Sequence, residues 1–191
     1  MHLEPTETWS EVLRERAQAI RDGSKRVNIM LSGGTDSTKV VDTFVNNGIF
    51  IDEITCIKHG IPEADHEVDN VALPYLSGLD LDPKTKVNVI TRSIKDYDQH
   101  YGDPYWIEKE TRGLLMQFRL TNLSENLCYD NSDSGTTWVS GKEKPTLVFR
   151  NSKWYCYFLD HDVEPNQTTH DNTVFFYSGS AKVHAKQSHM L

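Results

Sequence analysis

Three cysteines in 191 residues (Cys56, Cys128 and Cys156) are too few and too widely spaced for a disulfide framework. No two of them form the Cys-x-x-Cys pair of a zinc ribbon or a dithiol redox centre, so buried free thiols in a reducing cytosol are expected. No apolar run approaches the ~18 residues that a membrane span needs. Met1-His2-Leu3-Glu4-Pro5 has neither the basic start nor the apolar core of a signal peptide, so the expected location is cytoplasmic. Positive charge is also short: 20 Lys and Arg against 28 Asp and Glu leave a net charge of −8. That balance argues against broad electrostatic binding to nucleic acid and leaves only a local basic patch for it. Internal repeats and low-complexity tracts are missing, as are the Walker pattern Gly-x-x-x-x-Gly-Lys-Ser/Thr and the dinucleotide pattern Gly-x-Gly-x-x-Gly.

What is present is alternating periodicity. Trp9, Val12, Leu13 and Ile20 recur at helical spacing over residues 9–22, with Thr8 and Glu11 as a capping box and Asp22-Gly23-Ser24 as the stop. Residues 27–31 form a short β-prone run. From Asp36 the period returns to helical, with Val40, Val41, Phe44 and Val45 on one face, until Asn46-Asn47-Gly48 ends it. Ile54-Thr55-Cys56-Ile57 reads as a second buried strand. Strand, tight loop, helix and strand within about thirty residues make a βαβ unit with a parallel sheet.

Residues 63–76 are weakly helical, with Val68, Val71, Ala72 and Tyr75, but Pro74 interrupts them. Lys86 to Ile90 is expected as a third strand and Tyr105 to Leu120 as a helix. Thr136 to Ser140 is expected as a fourth core strand, closed by Gly141. Past Pro145 the character changes. Thr146 to Phe149 and Trp154 to Leu159 flank Arg150-Asn151-Ser152-Lys153, a hairpin pattern. Thr173 to Tyr177 is a candidate further strand, and residues 160–172 are polar loop. The expected organisation is an α/β nucleotide-binding domain over 1–145 and a β-rich extension over 146–191 packed on it. His189-Met190-Leu191 offers no obvious structural terminus, which reads as a piece of something longer.

The segment Ser32-Gly33-Gly34-Thr35-Asp36-Ser37, between a strand and a helix, is a phosphate site on physical grounds. Its glycines permit unusual dihedrals and let the backbone approach an anion with no Cβ in the way. Successive amides converge into a nest, and the helix adds its unpaired N–H groups and positive dipole end. Ser32 and Ser37 add hydroxyl donors. Asp36 would repel bare phosphate, so its best role is to hold Mg²⁺ bridging phosphate oxygens.

This segment resembles the PP-loop of the ATP pyrophosphatase (adenine nucleotide α-hydrolase-like) superfamily, whose signature is Ser-Gly-Gly-x-Asp-Ser. A chance match in a chain this long arises on the order of once in ten thousand. The resemblance covers residues 27–60. It implies a Rossmann-like, HUP-type parallel sheet with helices on both faces, and ATP with Mg²⁺ as cofactors. It also implies cleavage of ATP to AMP and pyrophosphate, which activates a second substrate as an adenylate. Leu31 to Ser37 would hold the phosphates, and backbone groups of Cys56, Ile57 and Lys58 at the end of the next strand would take the adenine. Val139-Ser140-Gly141-Lys142 is similar to the family's glycine that closes the fourth strand near the reacting phosphate. Lys142 and Lys58 are the candidates for the lysine that stabilises the departing pyrophosphate, and His59 is placed to contact ribose or the acceptor.

Within the superfamily, His2 stands where a glutamine-dependent asparagine synthetase has its catalytic cysteine. A glutaminase would therefore be a separate chain, or ammonia is used directly. The paired cysteines of tRNA-thiolating members and the zinc-binding cysteines of nitrile synthases are missing. A phosphoadenylylsulfate reductase-like enzyme with a thiol donor is the main rival, and a non-enzymatic nucleotide-binding component is a third reading. The tail from Phe175 to His189 loosely resembles PP-loop proteins of bacteriophages, which would place the chain in a host cytoplasm. The acceptor is not named by any of this, and a homo-oligomer is compatible with it. Other groupings are weaker. His161, Asp162 and His170 match no zinc spacing. Glu63, Asp65, Glu67 and Asp69 read first as a solvated acidic face. The aromatics Trp154, Tyr155, Tyr157 and Phe158 read first as hairpin packing rather than a base-stacking platform.

Overall fold

The structure, a computed structural model, describes residues 4–91, 135–141, 145–158, 173–177 and 179–190. The expected helix at 105–120, Lys142 and the group His161, Asp162 and His170 lie outside them. Helix α1 (Trp9–Asp22) runs as its periodicity predicts and buries Val12, Leu13, Ala17 and Ile20. Its capping box is formed: the Glu11 amide donates to Thr8 Oγ1 at 3.3 Å and the Thr8 amide to Glu11 Oε2 at 2.7 Å. Thr8→Ala removes the first of these bonds, which is worth about 1 kcal/mol. Thermal unfolding should then show a Tm lower by about 2–4 °C.

Strand β1 (Arg26–Met30) follows, then α2 (Thr35–Asn46) and β2 (Glu53–Lys58). Asp52, just ahead of β2, binds the start of β1 to the end of α1. Its carboxylate accepts from the Val27 amide at 2.7 Å and from Arg21 Nη1 at 2.5 Å. The stretch expected to break at Pro74 is instead one continuous helical rod. It consists of α3 (Pro62–Glu67), a π-helical turn (Val68–Ala72) and α4 (Leu73–Ser77). Proline lacks an amide and its ring collides with the carbonyl four residues back. The wider turn directly before Pro74, where the Leu73 amide reaches back to Val68 O, accommodates that ring without ending the helix.

The remaining elements are β3 (Lys86–Thr91), β4 (Thr136–Ser140), the hairpin β5 (Pro145–Arg150) and β6 (Lys153–Phe158), β7 (Thr173–Phe175) and α5 (Ala181–Met190). The main sheet has the order β3-β2-β1-β4-β7 and is parallel throughout. This is the Rossmann-like α/β fold expected. The hairpin turns on two residues, Asn151 and Ser152, at φ of 52° and 58°, with Arg150 paired to Lys153. Two left-handed residues make a turn whose twist matches that of the strands.

Two features of the expected C-terminal extension belong to the main body. β7 is the outer strand beside β4, and α5, which the sequence reading did not anticipate, contacts α1. Lys182 of α5 pairs with Glu7 and Glu15, and Lys186 pairs with Glu4. One buried cluster joins Val27, Ile29 and Leu31 to Ile54, Cys56 and Val139, and to α1, α2, α4, Phe176, Tyr177 and Val183. A second, smaller one packs Trp138 with Met30, Ile57 and Ile90. Among the described residues no helix is long and apolar enough to cross a membrane.

Candidate nucleotide site

The parallel order places β1 between β2 and β4. From β1 the chain proceeds to one side, through α2 to β2, while β4 lies on the other. In open α/β sheets the crevice at such a reversal, beyond the carboxyl ends of the strands, is where ligands bind. The Ser32–Ser37 loop stands there because β1 delivers it there. The Leu31 amide makes the last bond to the neighbouring strand, to Thr55 O at 2.9 Å, and its side chain is buried. Ser32 and Gly33 then turn the chain into α2.

The two glycines have different tasks. Gly33 has a φ of +95°, and a Cβ there would lie 2.6 Å from Glu67 O and 3.3 Å from the Ala72 amide nitrogen. The loop is therefore seated directly on the π-helical turn. Gly34 is the N-cap of α2 in an extended conformation, and it offers no side chain to the first-turn amides. No N-cap side chain therefore stands over those donors, and the positive end of the helix dipole lies behind them.

The serines brace the loop. Ser37 is buried, and its Oγ accepts from the Ser32 amide at 3.2 Å, lies 3.1 Å from Ser32 Oγ, and donates to Gly34 O at 3.1 Å. Its hydroxyl thus works inside the loop rather than as an outward donor, and Ser32 Oγ also accepts from the Gly34 amide at 3.3 Å. Thr35 Oγ1 donates to Asp36 Oδ1 at 3.2 Å.

Gly141 is brought to this loop, as the expected closing glycine of β4. A Cβ on it would lie 2.9 Å from Ser37 N and 3.0 Å from Asp36 C. From the far side Tyr177, wholly buried, donates its hydroxyl to Asp36 O at 3.1 Å. Sequence reading did not single out Tyr177; a lone tyrosine after a three-residue strand carries no local signal.

At the end of β2 the roles divide by strand alternation. The Cys56 side chain is fully buried, and burial pushes its thiol up to about 11. Thr55 O faces β1, so the amide and carbonyl of Ile57 turn to that same side, past Met30, where β1 ends. Lys58 pairs with Asp69 of the π turn at 2.8 Å, and that bond raises its pKa. The amides of His59 and Gly60 both donate to the carboxylate of Asp65. Asp65 is thus a buried clasp for the turn after β2, not part of a solvated face. No cluster of three or more His, Cys, Asp or Glu suited to a metal occurs among the described residues.

No protein-family model and no curated protein sequence matches the chain. Among solved structures it is similar to the NH3-dependent NAD synthetase from Campylobacter jejuni subsp. jejuni in complex with the nitrate ion. The TM-score is 0.50 at 16% sequence identity, over 72% of this chain and 58% of that one. The likeness is one of fold, and this chain spans little more than half the length of that synthetase.

Proposed function

We propose that the chain binds ATP at the Ser32–Ser37 loop and cleaves it between the α- and β-phosphates, passing the adenylyl group to a second substrate. The observation that supports this most is the position of the loop. A Ser-Gly-Gly-x-Asp-Ser segment leaves β1 at the reversal of strand order, with no N-cap side chain over the first turn of α2 and Gly141 against the Asp36–Ser37 peptide. The amides of that turn would hold the phosphate chain, and the Ile57 backbone edge would take the adenine.

Attack by an acceptor oxygen on the α-phosphorus expels pyrophosphate, and the growing charge there meets the α2 amides and dipole. A single carboxylate, Asp36, at the rim suits Mg²⁺ that arrives with ATP, since that ion takes one or two carboxylates and completes its shell with phosphate oxygens and water. When bound, it would neutralise charge on the departing group. Lys58, held charged by Asp69, and Lys142, just past Gly141, are the side chains proposed to serve that group as well. The solved structure that this chain resembles in fold is an NH3-dependent synthetase, which makes ammonia the first nitrogen donor to try. A thiol-based reductase draws no support from Cys56, which is buried and held as the neutral thiol.

The test uses ATP labelled at the α-phosphate, with Mg²⁺, ammonia and a panel of carboxylic acids. Label should appear in AMP, with one pyrophosphate per turnover; ADP and phosphate as products would refute the reading. Asp36→Ala should weaken Mg·ATP binding at least about tenfold by calorimetry, given the strength of charge-assisted contacts. Unchanged affinity would remove Asp36 from the site.

A further inference from the structure

The peptide joining Asp36 to Ser37 is gripped at both ends by parts of the chain remote from it in sequence. Its carbonyl oxygen accepts from the Tyr177 hydroxyl at 3.1 Å. Its carbon and nitrogen lie against Gly141, so closely that a Cβ there would come within 3.0 Å of both. Counting from the N-cap Gly34, Ser37 is the third helical residue, so its amide is one of the donors that the helix itself leaves unused. A peptide unit is planar, with its N–H directed opposite its C=O. Fixing the carbonyl therefore fixes the direction of the Ser37 N–H.

We propose that Tyr177 is a positioning residue of the nucleotide site, aiming the Ser37 amide at a phosphate by holding the carbonyl of the same peptide. The inference rests on the nucleotide reading above and adds to it a residue from the C-terminal segment. The structure around Tyr177 is built to keep its hydroxyl in place. Its ring meets Phe176 edge-on at 5.3 Å, and Phe176 packs on Phe44 of α2 at 6.4 Å. The Phe176 amide donates to Ser140 O at 2.9 Å, directly before Gly141. Arg16 of α1 donates to the carbonyls of both Phe175 and Phe176 at 3.1 Å. Burial, with the Asp36 charge beside it, holds the phenol well above its ordinary range, so it remains a donor at any working pH.

The experiment compares wild type, Tyr177→Phe and Tyr177→Leu by calorimetry with Mg·ATP and with inorganic pyrophosphate, and by thermal unfolding without ligand. Tyr177→Phe keeps the ring and removes only the hydroxyl. It should bind both ligands about tenfold more weakly, one hydrogen bond's worth, with Tm within a few degrees of wild type. Tyr177→Leu should lose the same affinity and no more, while its Tm falls further because ring packing is lost. A role confined to packing predicts the opposite pattern: wild-type affinity in the Phe variant, or affinity that follows Tm through the series. Either result overturns the proposal. If wild type itself binds neither ligand, the nucleotide reading fails and this inference falls with it. Binding by wild type with an unaffected Phe variant removes Tyr177 alone.

Discussion

Gly33→Ala should abolish measurable Mg·ATP binding, a loss of at least about a hundredfold, and lower Tm by on the order of 10 °C. Two effects add at this position. A residue with a Cβ resists a φ of +95°, at about 1–3 kcal/mol. The same Cβ would sit 2.6 Å from Glu67 O and 3.1 Å from its carbonyl carbon, both backbone atoms that no rotamer change can move. Displacing the π turn to relieve this adds about 1–3 kcal/mol of overpacking strain. At roughly 2–4 °C per kcal/mol for a chain of this size, the Tm shift follows. The binding loss follows from geometry, since a peptide flip at Gly33 would disperse the amides that must converge on a phosphate. Calorimetry and thermal unfolding of one variant check both. A variant that binds normally would show that the loop does not use this conformation for its ligand. Gly34 carries no comparable constraint, because its φ is −68° and the nearest atom to a Cβ is the flexible Ser32 Oγ at 3.4 Å.

The difference between those glycines marks the limit of sequence reading. That a Ser-Gly-Gly turn between strand and helix binds phosphate is a local inference, and so are α1 with its capping box, α2 and the hairpin. All of these depend on residues close in sequence, and the structure places α1, α2 and the hairpin where the sequence pattern puts them. Which glycine is indispensable depends on a helix thirty residues away lying against the loop. The continuation of α3 through Pro74 was hidden for a related reason. A proline predicts a break, and the wider turn that avoids one has no composition of its own. α5 was unread because its one buried hydrophobic residue, Val183, cannot establish a period. Its place is set by parts of the chain far from it in sequence: Val183 joins the main core, and its lysines reach Glu4, Glu7 and Glu15 at the opposite end of the chain. β7, three residues long, has too few positions to alternate. Its membership in the main sheet depends on parallel pairing with β4, which no short window contains. Asp65 shows the reverse error, since a carboxylate in an acidic run reads as solvated until two amides are found on it.

Gly141→Ala isolates the remaining contact at the site. Gly141 does not have a left-handed φ, so the substitution introduces no conformational strain and acts only through the volume of one methyl group. That methyl would meet Ser37 N at 2.9 Å and Asp36 C and Ser37 Cα at 3.0 Å, all backbone of the α2 first turn. Either β4 or the start of α2 must give way, at about 1–3 kcal/mol, or a Tm lower by roughly 2–10 °C. The displaced group is the peptide whose amide we propose to face a phosphate, so binding should suffer more than stability does. Mg·ATP affinity should fall at least about thirtyfold, since moving the first turn of α2 misdirects several preorganised donors together. Combining Gly141→Ala with Tyr177→Phe sharpens the point. Both act on one peptide, so once Gly141→Ala has moved it, removing the Tyr177 bond should cost little more, and the double variant should bind far better than the product of the single losses predicts. Losses that simply multiply would mean that β4 and the C-terminal segment influence the ligand separately, and that the Asp36–Ser37 peptide is not their common point of action.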